Sequence, residues 1–362
     1  MSRDTPSAAL SAARATIIAM SSTLSPADRT GLAAAASAPE ALAAPRADGG
    51  RRRRWSPDGP LDLAQSLGPL TRGERHTTAR AESRDRVLIT ARVGDAPVTA
   101  RFSRAGDLDP LRRDVVVDAW GAGAAAFLEE APRWCGQDDD WRAFEDSASW
   151  SLLPEQLRRS RHDSPGLRLI STGRLYDALV SAVLEQRVTG HEAVREQRWL
   201  ARAHGDPAPG PAPKGMAVLP APERLRRIPS WSWHRAGVDP ARSRTLQVVA
   251  SRAAALARWD RRPPDEELER ALASLPGVGP WTIAETLQVS HGDPDRISVL
   301  DYHLAHHVTE YFDGRRGDDA RMLRILEPWK GHRQRVVRLL HGSSWSAQRR
   351  GPRLAPEDHR QR

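Results

Sequence analysis

The chain reads Leu275-Pro276-Gly277-Val278-Gly279-Pro280-Trp281-Thr282 where two stretches with helical periodicity meet. Because glycine adopts backbone conformations that other residues avoid, Gly277 and Gly279 predict a tight hairpin. Backbone N–H groups at such a bend, together with the dipole of the following helix, can hold a phosphate. A lone carboxylate, Asp301, follows in the segment Val299-Leu300-Asp301-Tyr302-His303. The sequence therefore predicts two helices joined by an anion-binding hairpin, with a carboxylate close by.

The hairpin and its aspartate resemble the signature of the helix-hairpin-helix DNA glycosylase superfamily. Ile283 stands where that signature usually has alanine. Three further segments, 179–189, 228–237 and 327–333, resemble the bacterial 3-methyladenine DNA glycosylase II group, which repairs alkylation damage. The resemblance spans about residues 166–342. It implies a mainly α fold, in which a helix-hairpin-helix glycosylase domain follows a small α+β domain.

The resemblance assigns Asp301 as the catalytic residue. It assigns Gly277, Val278, Gly279 and Thr282 as the hairpin that holds a DNA phosphate. Breaking an N-glycosidic bond builds positive charge at the sugar C1′, and a carboxylate below that carbon stabilises the charge and can orient or deprotonate a water. The alternative interpretation of Asp301 is an N-cap for the helix predicted from Tyr302, and one side chain can do both.

Trp281 occupies a position at which bifunctional members of the superfamily carry a lysine. That lysine attacks C1′ through its amine and then cleaves the strand by Schiff-base chemistry. Since the nucleophile is absent here, the resemblance implies a monofunctional hydrolase that leaves an abasic site.

The expected base pocket contains Trp281, Glu285 and Trp329. Alkylated purines carry positive charge, and electron-rich aromatic walls select such bases by stacking and cation–π attraction. Glu285 lies one helical turn beyond Trp281 on the same face. For both tryptophans a buried core position is an equal alternative.

A base inside a duplex must be flipped before it reaches a pocket, and the enzyme fills or wedges the gap. By position, Gln186 and Arg187 match the wedge region of the superfamily. Arg187 is charged where a relative inserts an apolar residue, so a phosphate contact is the alternative.

The charge of the chain favours a polyanionic partner. Its 362 residues carry a formal net charge of +9, although a high arginine content that reflects genomic base composition gives the same figure. Arg242, Arg244, Arg333 and Arg335 are candidate phosphate contacts, with a solvated helix face as the alternative.

Neither a metal nor a required cofactor is expected from the sequence. Cys135, the single cysteine, excludes an intramolecular disulfide and a four-cysteine cluster, and we interpret it as a small packed hydrophobe. His303, His306 and His307 lack a complete ligand set. The resemblance leaves open a monovalent cation at the hairpin carbonyls.

Four segments are predicted along the chain. A disordered leader covers 1–50, with a basic block at Arg51 to Arg54 beside it, and a small α+β domain with an antiparallel sheet covers 51–165. The helical glycosylase domain covers 166–342, and a disordered tail covers 343–362. Alternation around Gly94-Asp95 predicts a hairpin of two strands, and residues 115–117 predict a third.

Helical periodicity predicts a helix after Thr172, its expected N-cap, that runs into Glu185. Six further predicted helices cover 241–258, 265–274, 281–290, 302–312, 320–326 and 332–340.

Together these features predict a DNA glycosylase that removes alkylated purines of the 3-methyladenine type during base excision repair. The expected partner is double-stranded DNA that contains damaged bases, and the protein is expected to be a cytoplasmic, nucleoid-associated monomer without a membrane segment. Two alternatives stay open. One is a non-catalytic DNA-binding protein, which the departures at Arg187 and Ile283 suggest, and the other is a glycosylase for a neutral damaged or mismatched base.

Overall fold

The computed structural model describes residues 46–71, 76–106 and 111–346. Most of the predicted leader, and the predicted tail beyond residue 346, therefore lie outside the described residues. None of the described helices combines the length and the apolar character that crossing a membrane requires.

An antiparallel sheet forms the first layer of the described chain. Its strands are β1 Arg51–Trp55, β2 Ala79–Ser83, β3 Arg86–Val93, β4 Ala96–Ala105 and β5 Asp114–Trp120. The spatial order is β1-β5-β4-β3-β2. Val93 pairs with Ala96 across the β3–β4 turn, and Gly94 has a φ of 56° there. The predicted glycine-first hairpin turn is thus confirmed.

The basic block at Arg51 to Arg54 is an edge strand, β1, which the sequence did not predict. Its side chains alternate between partly buried and exposed along Arg51–Trp55. Arg52 forms an ion pair with Asp118 at 2.7 Å, and Arg54 forms one with Asp114 at 2.7 Å, both on the neighbouring strand β5. These arginines therefore lie in cross-strand charge pairs at the edge of the sheet.

Helices make up most of the rest. They are α1 Leu63–Ser66, α2 Ala124–Trp134, α3 Trp141–Glu145, α4 Glu155–Asp163, α5 Leu175–Leu184, α6 Gly190–His204, α7 Pro222–Arg226, α8 Ser230–Ala236, α9 Pro240–Leu256, α10 Glu266–Ala273, α11 Pro280–Ser290, α12 Leu304–Asp313, α13 Asp319–Leu326 and α14 Arg333–Gly342. Two short strands, β6 Asp206–Pro207 and β7 Ala217–Val218, pair with each other. The last six helices, α9 to α14, confirm the six predicted ones with ends that differ by only one or two residues.

The start of α5 differs from the prediction. Thr172 is not its N-cap, because the helix begins at Leu175 and the preceding Arg174 provides no side-chain cap. The amide of Leu175 instead donates to Oδ1 of Asp260 at 2.9 Å. A carboxylate distant in sequence therefore satisfies this helix end, which a local pattern does not reveal.

Three hydrophobic clusters hold the elements together. One lies between the sheet and α1 and α2, and a second unites helices α5 to α11. The third joins Phe144 and Leu157 of α3 and α4 to Met322 of α13 and Leu339 of α14. This third core crosses the predicted domain boundary at residue 165. The candidate site lies where α11, α12 and α14 approach the segments around Ser66 and Leu169.

Candidate active site

The hairpin between α10 and α11 has the geometry that the glycines predict. Gly277 has a φ of 84°, and the amide of Val278 donates to the carbonyl of Leu275 at 3.0 Å. Val278 is only 6% exposed and anchors the bend in the helical core. The amides of Gly277 and Gly279 have no acceptor among the described residues. Free amides at the start of a helix are the groups that bind a phosphate.

Gln186 supports this hairpin from α5. Its Nε2 donates to the carbonyl of Gly277 at 2.9 Å and to Oγ1 of Thr282 at 2.8 Å. Thr282 is 2% exposed, so its hydroxyl, which accepts from Gln186, supports the hairpin from within and is not available to a phosphate. The amide of Gln186 is thus engaged with the protein, while the neighbouring Arg187 is exposed.

Asp301 accepts hydrogen bonds on both carboxylate oxygens. Oδ1 accepts from the amides of His303 and Leu304, each at 2.8 Å. Oδ2 accepts from Nε1 of Trp281 at 3.1 Å. Asp301 caps the start of α12 and lines the cleft as well. The two interpretations of this residue are therefore compatible.

Backbone strain marks the same region. Arg187 and Leu300, with φ of 56° and 65°, are the non-glycine residues with positive φ in the described parts of the chain. Such conformations cost about 1–3 kcal/mol each and cluster at functional sites. Leu300 precedes Asp301, and Leu300 and Tyr302 are 74% and 71% exposed. The sequence carries no signal for this strain, although two large apolar residues flanking a lone aspartate are visible in it.

A cleft of about 290 Å³ opens beside Asp301. The polar residues that line it include Glu285, Asp301, His307, Gln334, Arg338 and His341. Among the described residues that line it there is no Trp, Tyr or Phe. Hydrogen-bonding side chains therefore make up much of the described wall of this cleft.

The three residues expected in the base pocket lie in different surroundings. Glu285 lines the cleft, and its Oε1 accepts from the hydroxyl of Ser298 at 2.6 Å. Trp281 is half-buried and holds Asp301. Trp329 is 5% exposed within the third core, where its Nε1 donates to the carbonyl of Ser149 at 2.9 Å. The structure thus favours the core interpretation of Trp329 over a pocket wall, because the side chain is enclosed away from the cleft.

Burial favours the neutral form of two histidines in the cleft, His307 and His341, because it lowers the pKa of each. Burial lowers the pKa of His341 to about 4, with smaller contributions from the neighbouring His307 and Arg338. Burial also lowers the pKa of His307, whose ring stacks on Trp345 at a centroid distance of 4.9 Å. A neutral imidazole offers one donor and one acceptor nitrogen. These rings can therefore form hydrogen bonds without adding positive charge.

Three of the four arginines considered as phosphate contacts are engaged in ion pairs. Arg242 pairs with Glu196 at 2.6 Å, Arg333 with Asp295 at 2.5 Å, and Arg335 with Asp139 at 2.5 Å. Arg242 and Arg335 are also buried, at 3% and 4% exposure. Burial and pairing contradict a phosphate role for Arg242 and Arg335, while Arg333 is partly exposed but already paired with Asp295. Arg244 is exposed and has no side-chain partner among the described residues.

Cys135 is 2% exposed, and burial raises the pKa of its thiol to about 12. This agrees with a small packed hydrophobe. No group of three or more His, Cys, Asp or Glu in the described parts is arranged to hold a metal ion. A monovalent cation at the hairpin stays an expectation of the resemblance. One of the hairpin carbonyls, that of Gly277, already accepts a hydrogen bond from Gln186.

The chain shares its fold, an antiparallel sheet followed by a helical domain with a hairpin beside a cleft, with solved structures of DNA glycosylases. The chain is similar in structure to the 3-methyladenine DNA glycosylase of Archaeoglobus fulgidus, with a TM-score of 0.64 and 15% identity over 80% of this chain and 97% of that one. It is similar to MBOgg1, solved with a low-affinity DNA ligand, with a TM-score of 0.62 and 16% identity over 83% of this chain and 96% of that one.

A third similar structure is the 8-oxoguanine glycosylase/lyase of Clostridium acetobutylicum in its apo form. Its TM-score is 0.61, with 13% identity over 82% of this chain and 96% of that one. No family model and no curated protein sequence matches the chain. The structural similarity therefore establishes a shared fold, although the sequence identities are low.

Proposed function

We propose that this protein is a monofunctional DNA glycosylase, which hydrolyses the N-glycosidic bond of a damaged base in duplex DNA and leaves an abasic site. The observation that carries the proposal is Asp301, held by three hydrogen bonds at the wall of the cleft. As the bond breaks, positive charge grows on the deoxyribose, and a fixed carboxylate stabilises it without having to reorganise. The same carboxylate orients the attacking water.

The hairpin supplies the proposed contact with DNA. Its two unsatisfied glycine amides face no protein acceptor among the described residues, and they lie at the N-terminus of α11. Two exposed arginines are adjacent in sequence to residues that contact the hairpin. Arg187 follows Gln186, and Arg244 precedes Thr245, which lies against Gly277. These amides and guanidinium groups would hold the phosphates on either side of an extruded nucleotide.

The absence of a nucleophilic lysine supports hydrolysis without strand cleavage. The position of the lysine in bifunctional relatives is Trp281, and Lys214 and Lys330, the only lysines, are not among the residues that line the described cleft. Schiff-base chemistry requires an amine within reach of C1′. The proposed product is therefore an intact strand with an abasic site.

Alkylated purines of the 3-methyladenine type are the substrates that the sequence resemblance suggests. A second candidate, a neutral damaged or mismatched base, is favoured by the cleft itself. Its described wall has no Trp, Tyr or Phe to attract a cationic base, and it includes the cation of Arg338.

The test of the proposal is Asp301→Asn, which keeps the shape of the side chain and removes its charge. We expect the rate of base release under single-turnover conditions to fall by about 100-fold or more. Binding to a duplex that contains an abasic analogue should change little. The assay measures alkali-sensitive sites formed in duplexes carrying single defined lesions and in alkylated DNA.

Asp163→Asn, at an exposed aspartate outside the cleft, is the matched control and should retain full activity. Salt-sensitive DNA binding by the wild-type protein with no abasic sites formed from any lesion would support the non-catalytic alternative instead. Undiminished release by the Asp301→Asn variant would remove Asp301 from the mechanism.

A further inference from the structure

Arg338 is a cation in the cleft for which the described residues provide no partner. It lies on α14 and lines the same cleft as Asp301. No described residue accepts a hydrogen bond from its guanidinium group or forms an ion pair with it. Arg338 is partly buried, and a guanidinium group there loses part of its hydration without gaining a hydrogen bond in return. Such a group indicates an acceptor that arrives with a ligand.

Gln334 provides an unused acceptor one helical turn away. It is 6% exposed and lines the cleft, and its Oε1 receives no hydrogen bond within the described structure. Its Nε2 donates to Oε1 of Gln288 at 2.9 Å.

The orientation of the Gln334 amide is fixed by this network. Nε2 of Gln288 donates to the carbonyl of Arg296 at 3.0 Å, and a carbonyl can only accept. The opposite end of the Gln288 amide must therefore be its oxygen, and the atom of Gln334 that contacts it must be nitrogen. Oε1 of Gln334 is consequently the acceptor left for a ligand.

Gln334 and Arg338 are four residues apart on one helix, so their side chains share a face with Cβ atoms about 5–6 Å apart. Together they present the guanidinium N–H donors of Arg338 beside one acceptor, Oε1 of Gln334. A nucleobase offers the complement of this pattern where a ring carbonyl stands next to a ring N–H, which is a lactam edge. Guanine-like bases, hypoxanthine and uracil have this edge, whereas 3-methyladenine and 1,N6-ethenoadenine do not.

We propose that Arg338 and Gln334 read the lactam edge of a neutral flipped base, with Arg338 donating to the carbonyl and Gln334 accepting from the ring N–H. This inference rests on the proposed function, whose substrate class it names. Arg338 is thus a specificity-determining residue, and it disfavours cationic bases such as 3-methyladenine by repulsion.

The rest of the cleft agrees with a neutral ligand. Glu285 of α11 also lines the cleft, and its charge offsets that of Arg338 without an ion pair between the two side chains. His341, one turn further along α14, is neutral. A neutral base that satisfies the free donors and the free acceptor leaves this balance undisturbed, whereas a cationic base would not.

The test compares base release by the full-length protein from duplexes that each carry one lesion. Hypoxanthine, 8-oxoguanine and uracil represent lactam bases, 1,N6-ethenoadenine is a neutral base without that edge, and alkylated DNA supplies 3-methyladenine. We expect the wild-type protein to release at least one lactam base faster than either base without the edge. Arg338→Met should slow release of that base by about 10- to 100-fold, the range for loss of a specific base contact.

Arg324→Met, at an exposed arginine of α13 outside the cleft, is the matched control and should keep the wild-type rate. Binding to a duplex with an abasic analogue has no base to read, so Arg338→Met should leave that affinity unchanged. Wild-type release of 3-methyladenine or 1,N6-ethenoadenine faster than every lactam base would overturn the inference and leave the proposed function standing. Parallel loss of abasic-site binding in Arg338→Met would overturn it too, whereas no release of any base would defeat the proposed function itself.

Discussion

The indole nitrogen of Trp281 contacts the carboxylate at the centre of the candidate site. Nε1 of Trp281 donates to Oδ2 of Asp301 at 3.1 Å, while Oδ1 is held by the amides at the start of α12. Trp281, which the sequence resemblance aligns with the lysine of bifunctional glycosylases, thus contacts the carboxylate of Asp301. A hydrogen bond to a charged group is stronger than one between neutral groups. Trp281 is therefore a positioning residue for the proposed hydrolysis.

Trp281→Phe keeps an aromatic ring and removes this donor. We expect the single-turnover rate to fall by about tenfold, which corresponds to the loss of one hydrogen bond to a charged group. Affinity for abasic duplex should be unchanged, because the hairpin amides are untouched. Trp231→Phe, at a tryptophan that is 61% exposed, is the control. Equal rates for the two variants would show that Trp281 does not position Asp301.

At the scale of elements, the hairpin depends on glycine at one position much more than at the other. Gly277 has a φ of 84°, and a Cβ there would lie 1.9 Å from Oγ1 of Thr245 on α9. Gly279 has a φ of −103°, and a Cβ there would meet nothing within 4 Å. The first glycine allows the close approach of α9, whereas the second faces open space where a DNA strand could pass.

Gly277→Ala is expected to destabilise the protein by about 1–2 kcal/mol or more, from left-handed strain and from the clash with Thr245. Thermal unfolding measures this. Gly279→Ala should leave the melting temperature nearly unchanged and should weaken binding to abasic duplex, since its methyl group would stand beside the amides that hold the phosphate. A Gly279→Ala variant as unstable as Gly277→Ala would contradict this account of the hairpin.

At the scale of the whole molecule, a carboxyl group is enclosed between the sheet and the helical domain. A cavity of about 80 Å³ is lined by Ile89 to Ala91 of β3 and by Asp177, Ala178 and Ser181 of α5. Burial raises the pKa of Asp177 from 3.8 to about 6, although Arg174 and Arg92 oppose the shift. The native state therefore takes up this proton more readily than the unfolded chain.

Stability from Asp177 is consequently present below about pH 4 and is lost as the pH rises through about 6. We expect Asp177→Asn, which cannot ionise, to raise the melting temperature by about 2 °C or more at about pH 8. The gain should vanish near pH 4. Asp146→Asn, at an exposed aspartate, serves as the control. A gain that is the same at both pH values would rule out ionisation as its cause.

Local patterns predicted much of the molecule. The helices α9 to α14 and the β3–β4 hairpin follow from apolar periodicity and from Gly94. The bend at residues 275–282 follows from its glycines. Edge strand β1 was not predicted, because four consecutive arginines show no apolar alternation, and only pairing with the aspartates of β5 makes a strand of them.

By itself, the sequence determined the helical hairpin, the carboxylate that follows it and the absence of a lysine beside them, because each depends on residues close together in the chain. Tertiary structure alone decided that Asp260 caps α5 and that Trp329 lies in a core. It also decided that Arg335 is paired, whereas Arg338 has no partner in the part of the chain that the structure describes. The physical reason is that the desolvation and pairing of a side chain depend on neighbours contributed by distant segments. The charges and hydrogen-bonding groups that line the cleft therefore depend on the packing of α11, α12 and α14.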